Sequence, residues 1–471
     1  MAKINAMMDM GKRSMANSQT ALQTVGHNIA NKSTEGFSRQ RVEQVSAVPI
    51  GEGRIQIGMG SRASGVTRVN NPWLEKQIQR EQSSMGYMNS RAEALGRVEQ
   101  VYNEQMNKGL NQYMTDFFNG FRELSNSPES LATRTMVREN ANAMTKDFGR
   151  VVNQLQDVQK DLDGQLITST QEVNIMIKEI AALNEKIQLV EVQGTPANDQ
   201  RDRRDLLLKK LGEKIDISWA ESASDGMVSV SAGGSGILVS GTSVAQLQAK
   251  SSDDGTRIDI YYYEKSNSSP TNITERIKGG QMGGALQVRD HVVEDLLKNV
   301  DQLAYSLAKE VNKAHIEGFD NNGRSGILFF EMPEAVKGAA QNLSVNKTIF
   351  DDVSRIAAAS KPDAPGDNTV ANVISALQYK NTMMSEKATF DDFYNTQVGQ
   401  IGTITQGAMK SQSSQENILN QLGQIRESIS GVSLDEEATK MIEFQKTYDA
   451  SARLIKTADE MFDTILNLKR L

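Results

Sequence analysis

The chain of 471 residues contains no cysteine. It therefore has no disulfide, no thiolate metal ligand and no cysteine nucleophile, and its stability depends on packing. Aromatic residues make up only 5% of the chain, which predicts cores built from helix seams more than from large aromatic clusters. This composition is closer to that of an assembly protein than to that of an enzyme.

Residue patterns typical of catalytic or ligand sites are also scarce. The chain has three histidines, His27, His291 and His315, which lie far apart and lack the spacing of a zinc motif. Residues 231–236 are glycine-rich but lack the Lys-Ser/Thr ending of a phosphate loop, so a hairpin turn is favoured over an anion site. Residues 320–323 match only part of a calcium loop, which favours a tight turn. We predict no catalytic residues, no metal and no cofactor.

Charge and hydropathy exclude two further classes of partner. The net charge is −7 and the isoelectric point is near 5.4, so the basic footprint of a protein that binds nucleic acid or an anionic membrane is missing. No apolar run reaches about 18 residues, and no signal peptide precedes the first helix. We therefore expect a soluble cytoplasmic protein, or export by a route that needs no cleaved signal. Arginines and aspartates alternate at 199–205, which we interpret as a solvated helix face or local ion pairs.

Both ends of the chain carry apolar residues at seven-residue spacing, a pattern typical of helices that pack along other helices. In the first thirty residues the stripe consists of Ile4, Met8, Met15, Leu22, Val25 and Ile29. In the last forty it consists of Leu434, Met441, Tyr448, Ile455, Phe462 and Ile465. We call these twelve residues the seam and predict that they pack against each other or against other subunits. Ser433 and Glu436 predict a capping box at the start of the second helix.

Between the two ends, helical and extended patterns alternate. Three-four spacing of apolar residues predicts helices within 72–124, 129–193, 198–214, 286–311 and 390–429. An unbroken helix over 129–193 would be about 95 Å long at 1.5 Å per residue, which suits a rod-like bundle. Residues 216–278 alternate with period two and predict a small β domain inserted into the helical body. The glycine-rich residues 279–284 are interpreted as a flexible return from that insertion, with an anion site at the helix start as the alternative.

The predicted fold class is mainly α with a small β insertion. Paired terminal helices form a coiled-coil-like layer, followed by an elongated helical-bundle body and an outer β domain. The predicted boundaries are a terminal domain of 1–35 with 430–471, an extended connector of 36–80, a body of 81–215 with 279–429 and an outer domain of 216–278. Each outer layer is thus built from both ends of the chain.

Sequence motifs at both ends resemble those of the axial proteins of the bacterial flagellum. Residues 18–22, 26–31 and 33–37 resemble a signature shared by rod, hook and hook-associated proteins, whereas residues 38–41 (Ser-Arg-Gln-Arg), together with 432–466, resemble the hook-associated protein 1 family more particularly. Internal segments 198–211, 280–290 and 312–323 also resemble that family, so the resemblance covers most of the chain. The motif residues are Asn28, Asn31, Gly36, Phe37, Arg39 and Gln40.

This resemblance implies a structural adaptor with no enzymatic activity that joins the flagellar hook to the filament. It implies export through the flagellar type III apparatus and a location in the extracellular flagellum. The implied partners are a ring of copies of the chain itself, the hook protein below, the next hook-associated protein and the filament above, and an export chaperone before secretion. Neither nucleic acid nor membrane is an implied partner. In the family, the terminal helices form an inner tube and the β domain faces outward.

Three alternatives remain open from the sequence. The chain could be another axial protein, such as a hook protein or a flagellin-like subunit. It could be a secreted enzyme or sugar-binding module whose site is in the β domain, or a cytoplasmic coiled-coil signalling adaptor. Location along the flagellum separates the first alternative from the adaptor, a ligand or turnover screen separates the second, and retention in the cell separates the third.

Overall fold

The structure, a computed structural model, describes residues 2–52, 55–102, 108–234, 236–252, 255–264 and 269–468. The predicted fold class is confirmed, because the chain is mainly helical with a few small sheets. In the described ranges, no helix is both long enough and apolar enough to cross a membrane.

The helices follow the chain in an order that begins and ends with a long helix. They are α1 (Ala2–Ala30), α2 (Pro72–Val101), α3 (Leu110–Asn126), α4 (Leu131–Glu191), α5 (Asn198–Lys214), α6 (Gly280–Gln287), α7 (Glu294–Ile316), α8 (Ala339–Asn342), α9 (Lys347–Asp351), α10 (Thr369–Ala376), α11 (Phe390–Ser430) and α12 (Leu434–Leu468). A π-helical segment, Val288–Val293, joins α6 to α7. At 61 residues, α4 is about 92 Å long, which sets the length of the body.

The strands form four small antiparallel sheets. They are β1 (Gln40–Ser46), β2 (Ile50–Glu52), β3 (Ile55–Ile57), β4 (Ser61–Arg68), β5 (Ile217–Glu221), β6 (Val228–Ala232), β7 (Gly236–Ser240), β8 (Ser243–Val244), β9 (Gln246–Ser251), β10 (Ile258–Tyr263) and β11 (Thr271–Asn272). Strands β1 and β4 pair from Gln40↔Arg68 to Ser46↔Ser61, and β2 pairs with β3 beyond them. The other two sheets, β5-β6-β7-β8 and β11-β10-β9, make up the β insertion.

Helix α2 begins at Pro72, as the pattern predicts, whereas one domain boundary and one helical tract differ from those predicted. The extended connector ends at Asn71 and not at residue 80, because Pro72 occupies the first turn of α2 and the Asn71 side chain accepts hydrogen bonds from the next backbone N–H groups. The helical tract predicted up to residue 124 consists of two helices. Gly109, in extended conformation, directly precedes α3, and Met106, which the periodicity included, lies outside the described residues.

The two glycine-containing turns have the predicted form. Strands β6 and β7 pair as a hairpin, with Gly233 and Gly234 at positive φ between them. At residues 320–323 the Asp320 carboxylate accepts hydrogen bonds from the backbone N–H groups of Asn322 and Arg324, at 2.9 Å each. The carboxylate thus closes a tight turn.

The main apolar core lies in the body, and its cluster of buried side chains runs from Ala92 to Ala408. Most of this core consists of aliphatic side chains from helices, as expected, but one end holds an aromatic cluster that the composition did not indicate. The Phe117 ring lies 5.2–5.7 Å from four other phenylalanine rings, those of Phe118, Phe121, Phe329 and Phe330. Periodicity missed this cluster because Phe329 and Phe330 come from an irregular segment about two hundred residues further along the chain.

Residues 279–284 form a tightly packed helix crossing, not the flexible return that the sequence suggested. A side chain at Gly284 would collide with the carbonyl oxygen of Tyr87, and one at Gly86 would collide with that of Glu213. Glycine is therefore needed where α2 meets α6 and where α2 meets the end of α5. The glycines serve close helix approach and not mobility.

The β insertion is fixed to α4 by asparagine side chains. Asn184, fully buried, donates to the carbonyl oxygen of Val228 (2.8 Å) and accepts from its N–H (3.1 Å). Asn174 makes the same pair of hydrogen bonds with Leu247, at 2.7 and 2.9 Å. Each asparagine thereby satisfies a strand backbone that would otherwise be unpaired.

Of the two interpretations of segment 199–205, ion pairs describe the structure better than a solvated helix face, because Asp202 and Arg204 are buried although Asp199 and Arg203 are exposed. Arg204 is 1% exposed and donates to the carbonyl oxygen of Gly226 at 2.7 Å. Arg201 pairs with Glu191 at 2.6 Å and with Glu221 at 2.5 Å. These ion pairs join α5 to α4 and to the β insertion. The spacing of charges within one helix predicts only pairs inside that helix, so the sequence did not indicate these partners.

Candidate functional site at the two ends of the chain

The two ends of the chain form one unit, which we call the terminal module and define as α1, strands β1 to β4 and α12. Helix α12 runs antiparallel to α1, because Glu437 contacts Asn28 whereas Ser451 contacts Ser14. The helices lie close together at Gly11, where an added side chain would lie 2.6 Å from the Ile455 side chain. The small residue lets the two backbones come together.

The seam residues lie along this contact, but they are not its most buried positions. Val25 is 3% exposed, Leu434 is 43% exposed and Ile465 is 38% exposed, while the remaining nine seam residues are half-buried. The buried positions carry small or polar side chains instead, namely Gly11, Ser18, Ala21, Glu437, Ser451 and Ala458. Within one copy, the large apolar side chains therefore keep part of their surface in solvent.

Asn28 holds the base of the module together. It donates to the carbonyl oxygen of Gln40 and accepts from the Gln40 N–H, both at 2.9 Å. Its amide also donates to Glu437 at 2.9 Å, and Asn28 and Glu437 are each 1% exposed. Glu437 is further paired with Lys440 at 3.0 Å. One buried side chain thus connects α1, the start of β1 and α12, and Glu437 is a member of this cluster that sequence reasoning missed.

The other motif residues surround Asn28. The Asn31 side chain donates to the carbonyl oxygen of His27 at 3.0 Å and ends α1, and Gly36 turns the chain at φ 82°. The Phe37 ring packs edge-on to His27, 5.5 Å between centroids. Arg39 pairs with Glu436 of α12 at 2.8 Å, so α12 also contacts the motif at this carboxylate. The structure brings all six motif residues to one place.

Acidic residues of α5, a helix of the body, accept hydrogen bonds from the motif. Asp199 accepts from the Gln40 side chain at 2.7 Å, and Asp202 accepts from the Ser38 N–H at 2.9 Å. Arg68, at the end of β4, pairs with Asp202 at 2.8 Å. Burial raises the pKa of Asp202 above its ordinary value, although Arg68 acts in the opposite direction. The sequence did not indicate that these acidic residues contact the motif, and only the folded structure shows it.

A second ion-pair group connects α2 and α11 to the same place. Glu75 pairs with Lys209 at 2.5 Å and with Arg426 at 2.9 Å. Burial opposes ionisation, but the two cations outweigh it and hold the pKa of Glu75 below its ordinary value. Arg426 also donates to the carbonyl oxygens of Gly36 and Phe37, at 3.2 Å each. The module is thus attached to the body largely by polar contacts.

The chemistry of this site is that of structural attachment. Among the described residues, no group of three or more His, Cys, Asp or Glu side chains is arranged to hold a metal ion. The buried charged groups of the site, such as Glu437 and Asp202, are paired, and large apolar side chains of α12 are exposed beside its charged residues. The arrangement can position helices and present apolar surface to another protein.

Comparison with known proteins finds family matches in two parts of the chain, the body and the segment that contains α12. Residues 95–330 match the family described as the flagellar hook-associated protein FlgK helical domain. Residues 426–468, which include α12, match the C-terminal family of the flagellar basal body rod proteins FlgEFG. The flagellar hook-associated protein 1 of Bacillus subtilis is 30% identical to the chain, and the alignment covers 98% of this chain and 97% of that protein. The chain belongs to the FlgK family.

Further relatives agree with this assignment. The flagellar hook-associated protein 1 of Escherichia coli K12 is 24% identical, and that of Salmonella typhimurium is 25% identical, each over 96% of this chain and 97% of the relative. The solved flagellar hook junction protein FlgK from Burkholderia pseudomallei superimposes with a TM-score of 0.69 at 15% identity, over 75% of this chain and 100% of that one. The helical-domain match favours the FlgK family over a hook protein or a flagellin.

Proposed function

We propose that this chain is a structural adaptor subunit that assembles at the hook-filament junction of the bacterial flagellum and joins hook to filament. Membership of the FlgK family supports the proposal. The observation that carries it is the terminal module, in which both ends of the chain form one helix pair that keeps large apolar side chains in solvent. Such surface is stabilised when it is buried by another protein.

The exposed apolar residues of α12 lie along much of its described length. They are Leu434, Ile442, Met461, Ile465 and Leu466, which are 38–59% exposed. Two of them, Leu434 and Ile465, belong to the seam, and one copy of the chain leaves both partly uncovered. We therefore assign the seam to contacts between subunits as well as to the contact between α1 and α12.

The finer parts of the proposal concern domains and partners. We assign residues 1–35 with 430–471 to the inner layer of the junction, 36–71 to the connector, 72–215 with 279–429 to the body and 216–278 to the outer domain. The proposed partners are other copies in a ring, the hook protein, the next hook-associated protein and the filament, and an export chaperone before secretion. The proposed location is the extracellular flagellum, and we propose no reaction for the chain.

Deletion of the gene in its own bacterium tests this function. We expect intact hooks without attached filaments and filament protein released into the medium. When the full-length chain is supplied again from a plasmid, an antibody against it should label one position between hook and filament. Filaments that stay attached without the chain would contradict the function, and loss of the hook itself would indicate a hook or rod protein.

A further inference from the structure

Helix α5 carries the alternating charges of segment 199–205, and the helix sorts them by face. Successive residues of an α-helix turn by about 100° around its axis, so the three aspartates lie within about 120° of one another and the three arginines lie on the remaining side. The aspartates are Asp199, Asp202 and Asp205, and the arginines are Arg201, Arg203 and Arg204. The two faces bind different parts of the chain.

The acidic face binds both ends of the connector, residues 35–40 and 66–68, which we call the connector base. Asp202 accepts a hydrogen bond from the Ser38 N–H at 2.9 Å and pairs with Arg68 at 2.8 Å. The side chains of this ion pair are largely buried, at 12% exposure for Arg68 and 6% for Asp202. Further contacts of this face join Asp205 to Arg68 at 2.7 Å, Asn198 to the carbonyl oxygen of Val66 at 2.7 Å, and Lys210 to Glu35 at 2.8 Å.

The arginine face binds α4 and the β insertion. Arg201 pairs with Glu191 of α4 at 2.6 Å and with Glu221 of β5 at 2.5 Å. Arg203 pairs with Glu179 of α4 at 2.9 Å, and this pair is more exposed. Helix α5 is therefore held between the connector base on one side and the β insertion on the other.

The connector base and the β insertion also face each other across a cavity of about 540 Å³ beside α5. Thr67 and Arg68 line the cavity on the connector side, Trp219 and Glu221 line it on the insertion side, and Arg201 lines it from α5. Because a cavity and not packed side chains separates the two regions at this place, α5 is the element that connects them along its wall.

We propose that α5 couples the docking of the connector base to the docking of the β insertion. A helix is a rigid element, so a shift at its arginine face also moves its acidic face. Loss of an ion pair on the insertion side therefore weakens the docking of the connector base, and by linkage the reverse also holds. This coupling keeps the terminal module and the β insertion in one relative orientation. It is a property of the single chain and goes beyond the proposed function.

Hydrogen exchange of the free full-length chain, measured at the Ser38 amide, tests the coupling. Glu221→Gln removes a charge that pairs with α5 from the insertion side and changes neither α5 nor the connector. We expect the Ser38 amide to exchange at least about threefold faster in this variant. The matched control is Glu179→Gln, which removes the partner of Arg203 on α4. Because that pair is exposed and does not reach the β insertion, Ser38 should exchange at its natural rate.

Three results would overturn the proposal. Ser38 could exchange at the same rate in Glu221→Gln as in the natural chain, or equally fast in Glu221→Gln and Glu179→Gln. The Leu208 amide, inside α5, could accelerate as much as Ser38, which would mean that the helix unwinds instead of transmitting a shift. A Ser38 amide without protection in the natural chain would also contradict the proposal, because the connector base would then not be docked.

Arg68→Met tests the reverse direction. The change removes the cation that pairs with Asp202, and the expected response is in the β insertion, where the Val228 N–H donates to Asn184 at 3.1 Å. Exchange at the Val228 amide should accelerate at least about threefold. Arg41→Met, at an exposed arginine of β1, should leave it unchanged. No response at Val228 would break the reciprocity and overturn the coupling, whereas the gene deletion tests the proposed function independently.

Discussion

The body and the terminal module use the same kind of asparagine hydrogen bond, but they differ in how much apolar surface they bury. In both, asparagine side chains pair with strand backbone, Asn184 in the body and Asn28 in the module. The main apolar cluster, however, begins at Ala92 and ends at Ala408, so it includes no described residue of the module. The module relies on hydrogen bonds, ion pairs and half-buried apolar side chains.

This difference assigns different sources of stability to the two regions. Burial of apolar surface is the dominant favourable term in folding, and the body obtains it within one copy. Hydrogen bonds within the protein replace hydrogen bonds to water, so each contributes only about 1 kcal/mol to the free energy of unfolding. Under the proposed function, the module gains much of its stability only when neighbours cover its apolar side chains.

Phe117→Ala should damage the body most. Its ring is fully buried among four other phenylalanines, and removal of such a side chain costs about 3–5 kcal/mol in the free energy of unfolding. Chemical denaturation of the full-length chain measures the loss. Phe350→Ala, at a ring that is 43% exposed, is the matched control and should cost less than about 1 kcal/mol. Equal losses would mean that the aromatic cluster is not the core of the body.

Ile455→Asp should damage assembly and spare the body. Ile455 packs against Gly11 where α1 and α12 lie close together, and an unpaired charge that becomes buried there costs several kcal/mol. We expect incorporation to fall at least about a hundredfold, with the unfolding transition of the body unchanged. Ile175→Asp, at an isoleucine of α4 that is 65% exposed, should assemble normally. Motile flagella built from Ile455→Asp would rule out the seam.

Asn28→Ala tests the base of the module. The change removes the partner of the Gln40 backbone and one of two partners of the buried Glu437 carboxylate, which keeps Lys440, at a cost of about 1–3 kcal/mol. Hydrogen exchange at the Gln40 amide should accelerate at least about tenfold, while amides of α4 keep their rates. Asn153→Ala, at an exposed asparagine of α4, should change neither. An unchanged Gln40 amide would show that Asn28 does not hold β1 in place.

His315 gives the body a pH dependence. Its ring is fully buried, donates to the carbonyl oxygen of Ile327 (2.6 Å) and accepts from the Ala357 N–H (2.8 Å). Burial lowers the pKa of His315 from 6.5 to about 4. The unfolded chain therefore binds a proton that the folded chain does not, and stability present above pH 6.5 is lost as pH falls toward 4. The His315 contribution should fall by about 1 kcal/mol between pH 6.5 and 5.5.

Nuclear magnetic resonance of labelled histidine rings checks this value. The chain has three histidines, and the His315→Gln variant identifies the signal by its disappearance. The His315 signal should stay in its neutral form until the pH approaches 4. Titration near 6.5 would mean that the ring is open to solvent and that this end of the body is less closed than the structure indicates.

Much of the fold could be predicted from periodicity alone. Helix α4 was predicted within two residues at each end, because its buried side chains repeat at three-four spacing. The aromatic cluster and the glycine crossing at Gly284 could not be predicted. Both depend on contacts between residues far apart in sequence, for which a single chain gives no signal.

The candidate site divides in the same way. Spacing by seven identified the apolar seam, and family resemblance identified Asn28 and its neighbours. Both Glu437 and Asp202 lie in segments that resemble the family, but the sequence does not indicate that they are buried. It predicts Glu437, in the first turn of α12, as a partner of the helix dipole, and Asp202 as part of a solvated face or of local ion pairs. Their burial follows from partners on distant segments, Asn28 and Arg68, that meet only in the folded chain.

Hydrogen exchange of the full-length chain, free and in isolated hook-filament junctions, tests the central claim most directly. If the module is completed by its neighbours, amides of α1 and α12 exchange fast in the free chain and slowly in the junction, whereas amides in the core of α4 exchange slowly in both. Protection of α1 and α12 in the free chain equal to that of α4 would contradict the account.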